Sequence, residues 1–368
     1  YGDYGRLSEL REKSIEPYES ETGALGLDAS SVIVSTDKLS IVRSLSSFYV
    51  YNEEDETDNS MIFTGEEALA SLASRVLYGG ERPKAYFTTG HGENASVSLK
   101  NILYNAGYDI VLADLSLYDI GEDCGLVVIA NPSYDFEEYK DPSLRSEISR
   151  LKEFTEQGGT VWVFRSPSAE GLPRLDAFLS AYGMTVPANT YLSDPKESFN
   201  TYGTTLLLKQ ESSPLPAFDV PCVMGLCAPV TLTGREGLTL YPLFSSSSGA
   251  EAVTGEKRLT DENGFPVAVL AETDGGGRIF LASAKGIAEK ELTETDGFAN
   301  RDLLFSLIAY GDPSLTVPEH CGELPLNMSP LEGMTRGTAN RYFAVLTLGV
   351  PLAFGLFGAV LVRRRKNR

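Results

Sequence analysis

Between Phe63 and Phe164 the sequence alternates short apolar segments with amphipathic ones, and this alternation restricts the possible folds more than any other feature. Strands that follow one another through helical connections pair in parallel, with right-handed crossovers. We therefore predict an α/β fold: a mainly parallel sheet with helices on both faces. The predicted strands are Lys84–Thr88, Asp109–Ala113, Gly125–Ala130 and Thr160–Phe164, and the predicted helices are Ala68–Val76, Ala95–Ala106 and Glu147–Glu156.

The same domain is expected to extend over residues 61–311, with a loop-rich insertion at about 185–260. A helix at Leu175–Tyr182 precedes the insertion. A β-hairpin follows it, and Asn300–Tyr310 is a further helix with its leucines facing inward. The hairpin strands are Phe265–Glu272 and Arg278–Ser283, joined by the turn Asp274–Gly277. Residues 1–60 are interpreted as the remnant of a truncated N-terminal α/β domain, with short strands at Ser31–Val34 and Ile41–Val42.

The segment Tyr342–Val362 contains 21 residues and no charge, which is long enough to span about 30 Å of hydrocarbon as a helix. The basic tail, residues 363–368, follows at once, and such clusters stay in the cytoplasm. We predict a transmembrane helix at 342–362, a Pro- and Gly-rich stalk at 312–341, and an ectodomain outside the cytoplasm. The competing interpretation is a buried core helix that ends in a basic tail. Since the chain begins at Tyr1, we expect a signal peptide or a first spanning segment to precede it.

The formal net charge of −20 makes nucleic acid and anionic lipid headgroups poor partners, since both require a basic surface. Apolar residues make up 42% of the chain, which is enough for a sizeable core. The four cysteines are too few and too scattered for a disulfide scaffold. Cys222 and Cys227 are close enough in sequence to form a disulfide in an oxidising compartment, and two buried free thiols are the alternative.

The segment Thr89–Glu93 (TGHGE) is the most conspicuous candidate site, because it follows directly after a predicted parallel strand. In α/β sheets, ligands bind at the carboxyl ends of the strands. Gly90 and Gly92 permit positive φ and close approach of the backbone, and Glu93 could orient the imidazole of His91. The structural alternative is that His91 caps the next helix or satisfies buried backbone groups. We predict a ligand- or partner-binding site at Thr89, Gly90, His91, Gly92, Glu93, Asn131 and Ser133.

Support for nucleophilic catalysis is weak. No GxSxG motif occurs, and no cysteine occupies a strand–turn–helix elbow. Ser133 follows the third strand, where a nucleophile could stand, but a plain turn explains Asn131–Ser133 better. With only two histidines in the chain, a metal site would need several carboxylates, so we expect neither metal nor cofactor.

Several ordered segments resemble the GldG-like (gliding-motility-type) auxiliary proteins of bacterial ABC transporters. Two departures from the family pattern are the Ala282–Ser283–Ala284 segment, where the family has Asp–Ser, and the absence of the family's complete N-terminal domain from this chain. The matching segments are Phe63–Leu69 (FTGEEAL), Tyr86–Glu93 (YFTTGHGE), Asp123–Pro132 (DCGLVVIANP), Leu151–Val163 (LKEFTEQGGTVWV), Gly276–Leu281 and Asn300–Ile308.

The resemblance implies a sheet like that of class I glutamine amidotransferases, a flavodoxin-like arrangement, without their catalytic cysteine. It also implies association with an ABC permease and its cytoplasmic ATPase. The first functional hypothesis is therefore a non-catalytic, membrane-anchored auxiliary subunit that docks on a permease. The second is an anchored ectoenzyme, a hydrolase of glycans or peptides that uses His91 and Glu93.

Overall fold

The computed structural model describes residues 31–36, 40–51, 61–63, 65–78, 82–136, 146–167, 171–200, 202–211, 213–293, 295, 297–315 and 324–326. Contacts divide the chain into two units. The smaller unit comprises residues 45–65 and 323–368, and the larger one comprises residues 1–44 and 66–322.

The smaller unit contains a three-stranded antiparallel sheet of order β19-β4-β3. Its strands are β3 (Tyr49–Tyr51), β4 (Met61–Phe63) and β19 (Leu324–Leu326), and a 3₁₀ turn, Leu45–Phe48, precedes β3. The rings of Tyr49 and Phe63 lie 5.3 Å apart across β3 and β4. Strand β19 falls inside the segment that the sequence predicts to be a stalk.

The larger unit contains a mixed nine-stranded sheet and six α-helices among its described residues. The helices are α1 (Gly65–Tyr78, whose first residue belongs to the smaller unit), α2 (Val97–Asn105), α3 (Glu147–Glu156), α4 (Pro173–Ala181), α5 (Lys290–Thr293) and α6 (Asn300–Gly311). The strands of the sheet are β5 (Lys84–Thr88), β6 (Asp109–Ala113), β7 (Cys124–Ala130), β8 (Thr160–Phe164), β11 (Thr205–Gln210), β12 (Cys222–Gly225), β14 (Leu238–Ser245), β17 (Pro266–Thr273) and β18 (Arg278–Ala282).

Smaller pairings complete the described strands. β1 (Ser31–Ser35) and β2 (Ser40–Ser44) form an antiparallel hairpin, as the sequence predicts. β10 (Tyr191–Ser193), β15 (Glu251–Thr254) and β16 (Lys257–Thr260) form a three-stranded antiparallel sheet. β9 (Met184–Thr185) pairs with β13 (Thr231–Leu232).

The strand order of the large sheet is β12-β11-β14-β17-β18-β8-β7-β5-β6. The four neighbouring pairs between β18 and β6 are parallel: β18–β8, β8–β7, β7–β5 and β5–β6. The other four pairs are antiparallel. It follows that β17 and β11 run opposite to the other seven strands, which confirms the predicted α/β fold with a mostly parallel sheet.

Both faces of the parallel half are covered by helices. Along β8 the buried side chains alternate: Trp162 and Phe164 point into one core and Val161 and Val163 into the other. Helices α2 and α6 contribute leucines and isoleucines to the first core, and α3 and α4 contribute to the second. In the first core, Trp162, Phe164 and Phe280 pack edge to face with centroids 5.9–6.3 Å apart.

Local sequence explains where the helices begin and end. The hydroxyls of Ser96 and Ser146 accept hydrogen bonds from Leu99 N and Ser149 N, which caps α2 and α3. Helix α3 ends at Glu156, and just beyond it Gly158, with a φ of 93°, allows Gly159 N to bond to Phe154 O. At Gly277 a Cβ would lie 2.0 Å from Thr155 O, so the β17–β18 turn can pack against α3 only with glycine there.

The region predicted to be a loop-rich insertion, about 185–260, instead forms most of the antiparallel half. It supplies β11, β12 and β14 to the large sheet, together with β10, β13, β15 and β16. Its prolines lie between these strands, or at Pro242 beside the register shift between Pro242 and Phe244.

Within the described residues, no helix combines the length and the apolar character that a bilayer crossing requires. The predicted anchor 342–362 and the basic tail 363–368 lie outside those residues, as does the acidic run Asn52–Asn59. Cys222 and Cys227 are described, and both are buried free thiols.

Candidate functional site

The segment Thr89–Asn94, here called the histidine loop, leaves the carboxyl end of β5 and turns sharply through two glycines. Gly90 and Gly92 have φ angles of 111° and 67°, which other residues rarely adopt. A Cβ at Gly92 would lie 3.1 Å from Ser133 Cβ. The two glycines therefore give the loop a path that turns the side chain of His91 inward.

His91 is buried, with 5% of its surface exposed. Its Nε2 lies 2.9 Å from Oε1 of Glu147, the first residue of α3 and itself fully buried. The imidazole also packs against Phe136, with ring centroids 4.2 Å apart. The contact between His91 and Glu147 joins the loop after β5 to a helix 56 positions later in the chain.

The surroundings of His91 favour its protonated form. Burial by itself lowers the pKa of His91, but the hydrogen bond and charge of Glu147, the charge of Glu93 and the carbonyl of Asp135 act in the opposite direction. Their sum raises the pKa above its ordinary value of 6.5. Because the carboxylate and the carbonyl are both acceptors, the ring meets them best with both nitrogens protonated.

The backbone of the histidine loop is held by the segment after β7. The carbonyl of His91 accepts hydrogen bonds from Ser133 N and Tyr134 N over 2.8 and 2.9 Å. The hydroxyl of Ser133 donates to Gly92 O over 3.1 Å. Within the loop, His91 N donates to Glu93 Oε2 over 2.8 Å. These contacts bring His91, Gly92, Glu93 and Ser133 together in one closed turn.

Asn131 instead forms hydrogen bonds with the residues at the end of β8. It has a φ of 48°, its N–H donates to Phe164 O, and its Oδ1 accepts from Ser166 N over 3.0 Å. Asparagine tolerates this left-handed conformation better than most residues. Asn131 thus joins β7 to β8 and does not contact the histidine loop through any described hydrogen bond.

A buried ion pair also follows β8. Arg165, which is 1% exposed, donates from Nη2 to Asp176 Oδ2 over 3.0 Å. Its Nε lies 2.7 Å from Asp176 Oδ1 as an ion-pair contact that is poorly aligned for a hydrogen bond. At the end of neighbouring strand β18, the hydroxyl of Ser283 is buried and has no hydrogen-bond partner among the described residues. This serine belongs to the segment that departs from the GldG-like pattern.

A groove of about 340 Å³ lies beside the histidine loop. Lys100 of α2 stands over the ring of Phe87, with Nζ 5.7 Å from the ring centroid. Glu93 contributes a carboxylate whose Oε1 has no hydrogen-bond partner within the described part of the chain. The described lining contains no Ser, Cys or His. It consists of Phe87, Thr88, Thr89, Gly90, Gly92, Glu93, Asn94, Ala95, Lys100 and Leu112.

Among the predicted site residues, Thr89, Gly90, Gly92 and Glu93 line the groove, whereas His91, Asn131 and Ser133 are not part of the described lining. Residues that sequence reasoning missed are Glu147, Phe136 and Lys100. Glu147 carried only the signal of a carboxylate in the first turn of a helix, which is favourable in any helix. Within the described residues, no group of three or more His, Cys, Asp or Glu is arranged to hold a metal ion.

No family model matches this chain, and no curated protein matches it in sequence. Solved structures match its fold at low identity. The mmIFT52 N-terminal domain matches with a TM-score of 0.46 and 16% identity, over 62% of this chain and 97% of that one. A cytoplasmic protein from Salmonella typhimurium matches with 0.40 and 12%, over 62% and 98%. A glutamine amidotransferase from Thermotoga maritima matches with 0.34 and 13%, over 64% and 92%.

Proposed function

We propose that this protein is a non-catalytic, membrane-anchored auxiliary subunit of an ABC transporter, whose extracytoplasmic α/β domain docks on a permease. The groove beside the histidine loop is its proposed ligand- or partner-binding site. The single observation that carries the non-catalytic part is the position of His91, which is buried and bonded to Glu147 rather than directed into the groove.

The chemistry of the groove supports binding rather than hydrolysis. A general base must reach the proton that it removes, and the described walls offer only the carboxylate of Glu93 and the ammonium of Lys100 as ionisable groups. The hydroxyl of Thr88 donates to Val128 O over 3.4 Å. Backbone amides, one charge of each sign and apolar walls are typical of recognition sites.

The transporter part of the proposal rests on the sequence. The resemblance to GldG-like proteins follows the chain in order, and the uncharged segment 342–362 with its basic tail is typical of a C-terminal anchor. The glutamine amidotransferase-like or flavodoxin-like arrangement of the sheet belongs to the same proposal, as does localisation in the cell membrane.

Purification of the intact, tagged protein from membranes of its host tests this assignment. We expect the protein to stay in the membrane through an alkaline wash and to co-purify with one permease and one ATPase of the ABC type. Removal of residues 342–368 should release it from the membrane. Release of the intact chain by the wash, or purification without any permease, would overturn the proposal.

A hydrolysis assay tests the alternative ectoenzyme. The intact protein and a His91→Ala variant should show the same background rates on panels of glycosides and peptides. A rate above background that disappears in His91→Ala, while the variant stays folded by circular dichroism, would replace the binding hypothesis with catalysis.

A further inference from the structure

We propose that the outer edge of β6, Asp109–Ala113, is a docking edge that binds an extended segment of a partner protein. The segment adds a tenth strand to the large sheet, and it carries alternating apolar residues and at least one lysine or arginine. This inference rests on the proposed docking role but not on the transporter assignment, and its test requires no permease.

The hydrogen-bond pattern shows which backbone groups of β6 face outward. Asp109 N donates to Pro83 O, and Ala113 O accepts from Thr89 N, so these two residues face β5. Alternate residues of a parallel strand point to opposite sides. The N–H and C=O groups of Ile110 and Leu112 therefore point away from the sheet, where no described strand pairs with them.

Two other edges of the protein are protected, and β6 differs from both. At the opposite edge of the large sheet, the side chain of Asn300 bonds to both the N–H and the C=O of Val223 in β12. Edge strand β16 is protected by charge, since it begins with Lys257 and Arg258 and all its side chains are exposed. The centre of β6 is Ile110–Leu112, which carries no charge.

Exposed apolar side chains extend the docking edge. Leu112 is 65% exposed and forms part of the groove wall beside the histidine loop. Leu117 and Tyr118, in the turn that follows β6, are also largely exposed. An added strand would place alternate side chains over Leu112 and into the groove, which is the usual division between backbone affinity and side-chain specificity in strand addition.

Charge decides between possible occupants. The carboxylates of Glu93, Asp109, Asp114 and Asp123 lie around the edge and the groove. The cations there are Lys100 on the groove wall, Arg82, which pairs with Asp109, and Lys84, which stands opposite Asp109 in β5 and pairs with Asp123. The net charge of −20 opposes pairing with a second copy of this chain. An acidic surround favours a basic partner segment.

Hydrogen exchange of the full chain in mild detergent tests the proposal with a defined probe, the peptide acetyl-KVTVTVK-amide. We expect the amides of Ile110 and Leu112 to exchange fast in the free protein and to slow by roughly tenfold or more with the peptide at millimolar concentration. Two control peptides should protect neither amide. One is acetyl-EVTVTVE-amide, and the other is the lysine peptide with N-methyl groups that block hydrogen bonding along both of its edges. Equal protection by the glutamate peptide would overturn the charge argument.

The variant Leu112→Pro removes the outward donor without removing a bond of the ladder to β5, and proline is tolerated at such edge positions. It should keep the melting temperature of Leu112→Ala, its matched control, and lower the peptide affinity roughly tenfold more than the control does. Unchanged affinity would overturn the docking edge. If Leu112→Pro does not fold, the exchange footprint of the unmodified chain decides alone.

Protection of Ile110 and Leu112 in the free chain would also overturn the proposal. If that protection rises with protein concentration, the occupant is a second copy. If it disappears on removal of residues 1–30, the occupant is a segment of the same chain. In either case the failure leaves the permease assignment standing, because that assignment is tested by co-purification.

Discussion

The two edge strands of the large sheet, β12 and β6, differ in the hydrogen bonds of their outward-facing backbone groups. At the β12 end, the amide of Asn300 accepts from Val223 N over 2.9 Å and donates to Val223 O over 2.7 Å and to Ile287 O over 2.9 Å. At the β6 end, the outward groups of Ile110 and Leu112 meet no described strand, and Leu112 is mostly exposed. A buried side chain therefore takes part in closing one edge, whereas no strand among the described residues pairs with the other.

The outer edge of β12 is satisfied by a side chain and by backbone together: Asn300 bonds to Val223, and Lys285 bonds to both backbone groups of Gly225. Asn300 is fully buried at the first position of α6, so the helix that covers the first core also closes the sheet. Within the described part of the chain, no side chain closes the β6 edge in this way. The β6 edge lies beside the groove, and Leu112 belongs to both.

The largest effect is expected from opening the closed edge. Asn300→Ala removes three hydrogen bonds and leaves buried backbone groups unpaired, so we expect the free energy of unfolding to fall by about 3 kcal/mol. Urea denaturation measures this change. The control Asp302→Ala, an exposed residue of the same helix, should cost less than about 0.5 kcal/mol. Equal effects of the two variants would show that Asn300 does not close this edge.

The second prediction concerns the histidine loop beside the open edge and its dependence on pH. Because the pKa of His91 is raised in the folded state, its contribution to stability is complete below about pH 6.5 and is lost as the pH rises through the folded-state pKa. We expect the stability difference between the unmodified protein and His91→Gln to decrease as the pH is raised from about 6 to about 8.5. Denaturation at both pH values measures it.

Glu147→Gln provides the matched control, because it removes the charge that contributes to the raised pKa of His91 and keeps the shape of the side chain. When His91→Gln is introduced into this variant, the resulting stability difference should decrease less between the two pH values. A difference that grows with pH would mean that the His91–Glu147 contact favours neutral imidazole.

A smaller change of opposite sign is expected at the middle of the sheet. A buried hydrogen-bonding group without a partner should lower the stability of the fold. Ser283 tests this expectation, because its buried hydroxyl has no hydrogen-bond partner among the described residues. Ser283→Ala should leave the stability unchanged or raise it by up to about 1 kcal/mol. Ser96→Ala should lower it by about 1 kcal/mol, because that hydroxyl caps α2 and donates to Ala288 O. Thermal melts of the two alanine variants test the contrast, and it fails if both fall together.

The smallest effect is expected at the open edge. Leu112→Thr should change the free energy of unfolding by less than about 0.5 kcal/mol, since the side chain is mostly exposed and threonine suits a strand. A loss above about 1 kcal/mol would mean that Leu112 packs against another part of the chain. The edge would then be covered.

Much of the parallel half could be predicted from sequence. Strands β5, β6 and β8 and helix α3 have the predicted boundaries, because their apolar period and their turn residues agree. Of the antiparallel half, the sequence predicts only the hairpin of β17 and β18. Strands β11 and β12 lie among prolines and pair within a region where the sequence shows no regular alternation, so local pattern carried little information about them.

The candidate site divides in the same way. Gly90 and Gly92 could be recognised from sequence because their conformational freedom is a local property. The direction of His91 could not, because it depends on Glu147, Phe136 and the carbonyl of Asp135, which reach it only through folding.

By itself, the sequence determined the fold class, the position of the histidine loop at a strand end and the acidic character of the protein. Periodicity, glycine and net charge are properties of the chain that hold before any long-range contact forms. The tertiary structure alone decided that His91 is buried against Glu147, that Asn300 bonds to the edge strand β12 and that no described strand pairs with the outer edge of β6. Burial and hydrogen-bond pairing are relations between distant residues, so they exist only once the sheet has assembled.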